Sequence, residues 1–178
     1  MIEIRGETPQ DYEAIRGLIV TVFRETFGSG EDEAILVEQL RQAEGYDASL
    51  SLVAIDRDMI VGHVLFSRVA IISPGGATDA LALAPLGVLK PYRRQGIGSR
   101  LVNAGLDHGR ALGYRAVFVQ GDPKYYGRFG FTPASTKGLA MPFPTVPDPD
   151  SMVLELMVGG LRGLSGSVDY PPPWDAFK

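Results

Sequence analysis

The chain contains no cysteine and only two histidines, His63 and His108. The first absence removes disulfide frameworks, thiolate nucleophiles, iron–sulfur clusters and most structural zinc sites. The second argues against a histidine-based metal site, because neither histidine sits in an HExxH-type grouping. No apolar run approaches the ~18 residues of a membrane-spanning helix. The N-terminus, MIEIRGETPQDYEAI, carries charges from Glu3 onward instead of the apolar core of a signal peptide. The expectation is a cytoplasmic protein with no membrane partner. An excess of basic charge is also missing. Seventeen Lys and Arg against twenty-one Asp and Glu leave a net charge of −4, which speaks against nucleic acid held by a global basic field. What the chain does have is bulk. Its 178 residues, 45% hydrophobic, suffice for one domain with its own core and fall short of two full-sized ones.

Residues 2–5 alternate apolar and charged and predict a short strand. Thr8-Pro9-Gln10-Asp11 then announces a helix: threonine can cap, proline fits the first helical position, and Asp11 can reach back to the freed backbone donors. Tyr12, Ile15, Leu18, Ile19, Val22 and Phe23 recur at helical spacing until Gly28-Ser29-Gly30 breaks the run. A second helix is expected over about 32–43, carried by Ile35, Leu36 and Leu40, with Glu31, Asp32 and Glu33 near its positive end. From Leu50 the period becomes that of strands, and 51–55 and 59–72 read as a hairpin turning at Asp56-Arg57-Asp58.

Residues 80–89 are almost continuously apolar, suiting a central strand buried on both faces; Pro85 cannot donate a ladder bond and marks a bulge or local break. A third helix over 97–112 puts Ile97, Leu101, Gly105 and His108 to Leu112 on one stripe, with Gly113 as its stop. A strand at 116–120, a short helix at 123–128 and a closing strand at 152–158 follow. Five prolines make 132–150 mostly loop, and the segment from Gly159, with Pro171-Pro172-Pro173-Trp174, reads as a tail that packs on the domain or on a partner.

The stretch that carries chemistry is Leu86-Gly87-Val88-Leu89-Lys90-Pro91-Tyr92-Arg93-Arg94-Gln95-Gly96-Ile97-Gly98-Ser99-Arg100. It is a strand, a basic glycine-containing turn and a helix start. Successive N–H groups at a helix N-terminus, with glycines that let a ligand approach the main chain, form an anion cradle. Arginines beside it add charge-assisted bonds to phosphate. Positive charge is unfavourable to the helix dipole at that end, which itself points to an anion. The turn is not a Walker A loop, since no GKS or GKT follows, nor a dinucleotide fingerprint, since Leu101 stands where the third glycine would fall. Glycines at such a turn also serve chain geometry alone, and a nucleotide-binding α/β protein would use the same device.

These residues resemble the acyl-CoA-binding signature of the GCN5-related N-acetyltransferases (GNAT), Q/R-x-x-G-x-G/A, met by Arg93, Gly96 and Gly98. Asp122-Pro123-Lys124-Tyr125-Tyr126-Gly127-Arg128-Phe129-Gly130-Phe131 is similar to the family's second hallmark, an FYxxxGF-type segment, in the form of a YhbS-like subgroup of bacterial acetyltransferases. The order of elements matches over most of the chain. The resemblance implies one α/β (α+β) domain over residues 1–158, a mixed, mostly antiparallel sheet with splayed central strands flanked by helices. Residues 159–178 are the Gly/Pro-rich tail.

The activity so implied is N-acetyl transfer, with acetyl-CoA as cosubstrate and an unidentified amine attacking the thioester directly in a ternary complex. By the same implication main-chain groups of Leu86 and Val88 bind pantetheine, and the Val88 N–H is the oxyanion donor. The amides of Arg94, Gln95, Gly96, Ile97, Gly98 and Ser99, beside Arg93, hold the diphosphate. Tyr126, five residues before Phe131, protonates the departing thiolate, while Tyr125 packs. Acceptor contacts fall to 27–33 and 132–149. No acid lies within 80–89, where many relatives carry a glutamate, so deprotonation falls to a water chain, to Asp79 or Asp122, or to bulk solvent. The rival reading is an acyl-CoA-binding sensor or regulatory module without turnover. A homodimer is a further expectation, resting on the apolar closing strands and on Trp174, whose cover the sequence leaves open.

Overall fold

Asp11 organises the start of the chain. Its Oδ2 accepts the Thr8 N–H at 2.7 Å and the Thr8 hydroxyl at 2.9 Å, and Arg5 grips both carboxylate oxygens at 2.7 and 3.0 Å. This ties the first strand, β1 (Ile2–Gly6), to the 3-10 turn Pro9–Asp11 that runs straight into α1 (Tyr12–Phe27). The Arg5 guanidinium holds the Asp11 pKa down at about 2. The computed structural model describes residues 1–178, which divide into two units: 1–67 with 84–108, and 68–83 with 109–178.

In the first unit α1 buries Ile15, Leu18, Ile19 and Val22 and stops at Gly28, whose φ of +82° closes the helix. Gly30 brings the returning chain onto the α1 backbone, since a Cβ there would lie 2.7 Å from Val20 Cα. Next comes α2 (Glu31–Gln42), which buries Ala34, Leu36, Val37 and Leu40. Ile35, expected inside, is instead 42% exposed, because the inward arc is centred on the Ala34–Val37–Leu40 spacing and leaves position 35 on the flank.

The hairpin forms as expected from β2 (Ser51–Asp56) and β3 (Met59–Ser73), with Ser51 opposite Leu65 and an irregularity at Ala54/Ile55. β1 adds on the other side of β2, Ile4 opposite Ala54. The next strand, β4 (Gly76–Val88), begins before the apolar run, since ladder hydrogen bonds do not depend on side-chain polarity. Its end lies against β3, the Leu89 N–H donating to Val61 O at 2.9 Å. The Ala84–Pro85 peptide is cis, and the strand continues through it.

Two glycines seat the helices. At Gly87 a Cβ would stand 3.3 Å from Leu18 of α1, and at Gly62 it would stand 3.0 Å from Leu101 of α3 (Ile97–Ala111). The buried stripe of α3 is Ile97, Leu101, Val102 and Leu106, while Leu112 is 48% exposed and the exposed His108 ring contacts Ser49 O at 2.6 Å. Of the expected His108–Leu112 end of the stripe only Gly109 is buried, a Cβ there standing 3.0 Å from Leu81 and 3.1 Å from Leu156, while His108, Arg110, Ala111 and Leu112 are exposed.

In the second unit β5 (Ala116–Gln120) runs parallel to β4, with Leu81 opposite Val117 and Ala82 opposite Phe118; β4 continues beyond this register to Val88. α4 (Pro123–Tyr126) passes into a 3-10 turn, Gly127–Phe129. The 132–150 segment carries two short strands, β6 (Thr132–Pro133) and β7 (Leu139–Ala140). β8 (Ser151–Glu155) pairs antiparallel with β5 and β6. It ends three residues earlier than expected: the chain turns where Glu155 Oε2 accepts the Gly159 N–H and Gly160 bonds back to Met157 O.

Within residues 159–178 a further strand, β9 (Gly166–Asp169), pairs with β3 and β7. Trp174 is 6% exposed and packs edge-on against Phe143 and Tyr170 at centroid distances of 6.3 and 5.1 Å. The strands make one mixed nine-stranded sheet, parallel at β4–β5 and β7–β9 and antiparallel at the other registers described. No helix is long and apolar enough to cross a membrane.

Candidate active site

The end of β4 and the start of α3 form one continuous surface of main-chain groups. Because the Leu89 N–H is spent on β3 and successive residues of a strand turn their amides to opposite edges, the polar groups of Val88 and Leu86 face the edge away from β3. The chain then makes a 3-10 turn, Lys90–Tyr92, and takes two left-handed residues, Arg94 at φ 61° and Gly96 at φ 78°. A Cβ at Gly96 would meet nothing within 4 Å, so the space beside its α-carbon is open.

The first α-helical bond of α3 runs from the Arg100 N–H to Gly96 O at 3.0 Å. The N–H groups of Ile97, Gly98 and Ser99 accordingly have no partner inside the helix. Together with the amides of the left-handed turn they lie at the positive end of the helix, an arrangement chemically suited to an anion.

Three exposed side chains around this turn are hydrogen-bonded to protein groups. Arg93 Nε donates to Val88 O and its Nη2 to Glu25 Oε2, both at 2.9 Å. Gln95 donates to Pro91 O at 3.0 Å and Arg100 to Ile2 O at 2.9 Å. The turn thus offers an anion its backbone, with the exposed Arg94 beside it.

Tyr126 belongs to the second unit. Asp122 caps α4, its Oδ1 accepting the Lys124 N–H at 2.8 Å. The Tyr126 ring meets Tyr125 edge-on at 4.9 Å and Phe131 at 5.7 Å. Burial, and secondarily the neighbouring Tyr125, push the Tyr126 phenol above its ordinary pKa, so it is protonated throughout the neutral range. Tyr125 carries the Arg128 guanidinium over its face at 4.1 Å, an arrangement that suits a packing role. Both acids considered for deprotonation have structural partners: Asp79 accepts two bonds from Arg68 at 2.9 and 3.1 Å, and Asp122 is the cap.

Two features were not legible in the sequence. One is Glu25, brought to Arg93 from 68 positions away. The other is a buried polar cluster in the first unit. Glu7 binds Arg41 at 2.8 and 2.9 Å, accepts the Tyr46 hydroxyl, and lies 3.6 Å from His63 Nε2. Burial alone would raise the Glu7 pKa, but the bonds from Arg41 and Tyr46, with His63 close by, outweigh it and hold the carboxyl well below the usual range. His63 is wholly buried and shares a hydrogen bond with Ser51 Oγ at 3.0 Å; burial lowers its pKa.

The model of the acetyltransferase (GNAT) family matches residues 12–131. The chain belongs to that family. This places it among the acyl-CoA-dependent N-acyltransferases. It is 37% identical over 175 residues to the uncharacterized N-acetyltransferase YhbS of Escherichia coli K12, covering 98% of this chain and 99% of YhbS. It is 40% identical over 113 residues to the uncharacterized N-acetyltransferase YjhQ of the same strain, where the match spans 63% of this chain and 62% of YjhQ. Among solved structures it is similar to E. coli YhbS in complex with CoA, with a TM-score of 0.86, 36% identity, and coverage of 99% of this chain and 93% of that one. It is also similar to a GNAT family acetyltransferase from Brucella melitensis in complex with acetyl-CoA, with a TM-score of 0.78, 31% identity, and coverage of 98% and 99%.

Proposed function

We propose that this chain transfers the acetyl group of acetyl-CoA to an amine by direct attack, without a covalent enzyme intermediate. The observation that carries the reading is the pairing, on one stretch of chain, of a strand edge at Leu86 and Val88 that faces away from β3, with Val88 O held by Arg93, and a run of amides leading into α3 that have no partner inside the helix. A pantetheine arm needs the first and a diphosphate the second. Main-chain groups of Leu86 and Val88 hold the pantetheine, and the amides of Arg94, Gln95, Gly96, Ile97, Gly98 and Ser99 hold the diphosphate. The Val88 N–H stabilises the oxyanion as the amine lone pair forms the C–N bond. As the C–S bond breaks, Tyr126 donates its phenolic proton to the CoA sulfur.

The ammonium proton leaves to water in this reading, since residues 80–89 hold no acid and the two candidate acids, Asp79 and Asp122, have other partners. The absence of cysteine agrees with direct transfer, because no thiol is available to carry the acetyl group. The test is titration with acetyl-CoA followed by an amine panel read by release of free CoA. A thiol reagent reports only product here, because the protein contributes no thiol of its own. Absence of acetyl-CoA binding would end this reading; binding without turnover of any amine would favour a sensor.

A further inference from the structure

Arg93 sits in the position of the glycine signature where a phosphate contact is expected, yet its guanidinium is bound to other groups of the protein. Nε holds Val88 O at 2.9 Å and Nη2 holds Glu25 Oε2 at 2.9 Å. The Val88–Leu89 peptide is gripped from both edges of β4: its N–H, that of Leu89, donates to Val61 O on β3, and its carbonyl, that of Val88, accepts from Arg93 on the opposite edge. On the same stretch Gly87 lies flush on Leu18 and Val22 of α1, with 3.3 and 3.4 Å available to a Cβ. Helix α1 therefore clamps the end of β4 twice, once by packing at Gly87 and once through Glu25 and Arg93.

We propose that Glu25 is a positioning residue: it orients the Arg93 fork so that Arg93 fixes the Val88 peptide in the direction that receives the pantetheine and thioester. The proposal rests on the reading of this chain as an acetyl-CoA-dependent enzyme. The pair is more than a third exposed on both sides, and exposed pairs contribute little to fold stability. Its effect is therefore on the local geometry of one peptide and leaves the melting temperature unchanged. Lysine cannot replace Arg93, because a point charge cannot bridge two acceptors in a fixed plane.

The experiment compares two ligands by calorimetry: acetyl-CoA, and 3′-phosphoadenosine 5′-diphosphate, which carries the diphosphate but no pantetheine. Glu25→Ala and Arg93→Lys should each weaken acetyl-CoA about 5-fold or more and leave the fragment within about 2-fold, at unchanged melting temperature. Glu25→Gln, which keeps an acceptor oxygen, should restore most of the loss. Equal weakening of both ligands in Arg93→Lys would assign Arg93 to the diphosphate and overturn the proposal. Unchanged acetyl-CoA affinity in Glu25→Ala would overturn it as well. Failure of the wild-type protein to bind acetyl-CoA would instead overturn the function, and the brace with it.

Discussion

Gly121 is the floor on which the Tyr126 ring rests: a Cβ at position 121 would stand 2.9 Å from Tyr126 Cδ2 and closer still to Cε2. The ring therefore has one place to lie, between that floor, Tyr125 and Phe131. Tyr126→Phe keeps the ring there and removes only the hydroxyl. Its turnover number is expected to fall about 10²-fold, the scale of a lost general acid, with acetyl-CoA affinity unchanged. Tyr125→Phe should lose much less. Near wild-type turnover in Tyr126→Phe, measured where chemistry limits the rate, would make solvent the proton donor.

Gly121→Ala attacks the same contact from below. Overpacking of this kind costs about 1–3 kcal/mol, visible as a lower urea midpoint. The ring must also move, so turnover should drop by more than the stability change accounts for. A variant that loses stability but retains full turnover would show that the hydroxyl position is not critical.

Gly96 has open space around its α-carbon but a φ of +78°. Alanine there should cost about 1–2 kcal/mol through the left-handed conformation alone, and straining φ would shift the amides on either side of it. In the wild type, acetyl-CoA at 100 times its dissociation constant should stabilise the fold by about 2.7 kcal/mol. In Gly96→Ala that ligand-induced gain should shrink at the same acetyl-CoA concentration. An undiminished gain would place the diphosphate elsewhere.

The buried cluster around Glu7 predicts a stability that declines in two acid steps. The pKa of His63 is lowered by burial from 6.5, so the unfolded chain takes up that proton first and stability begins to fall as pH drops below about 6.5. The carboxyls of Glu7 and Asp11 are both lowered from their ordinary values of 4.5 and 3.8. Their contribution is complete above the ordinary carboxylate range and is lost as pH falls further. Chemical denaturation from pH 8 to pH 3 should show both steps, and His63→Gln should abolish the first. Glu7→Gln should lose about 3–5 kcal/mol at neutral pH, because it leaves the Arg41 charge buried without its partner. A pH-independent stability between 8 and 5 would show that His63 titrates alike in both states.

The local grammar of this sequence carries far. Helical spacing marked α1, the strand period marked the β2–β3 hairpin, and the glycines before Ile97 marked the left-handed turn into α3. What stayed hidden depends on partners distant along the chain. The four residues of β9, Gly-Ser-Val-Asp, have no strand pattern and become a strand only because β3 and β7 supply the ladder. Ile35 looks like a core residue until the arc of α2 that faces inward is known. Arg93 reads as a phosphate ligand from its place in the signature; only the fold brings Glu25 to it. Glu7 and His63 stand in ordinary-looking strand contexts, and their burial becomes affordable only when Arg41, Tyr46 and Ser51 close around them.

Trp174 is the sole tryptophan of the chain and is shielded from solvent by Phe143, Tyr170 and Phe177. Its intrinsic fluorescence is thus a native, label-free reporter of one place, the junction of the C-terminal segment with the proline-rich loop that contains Phe143. A red shift on adding an amine would register an acceptor working its way beneath that loop. The indole therefore offers an optical screen for the missing substrate that requires no turnover.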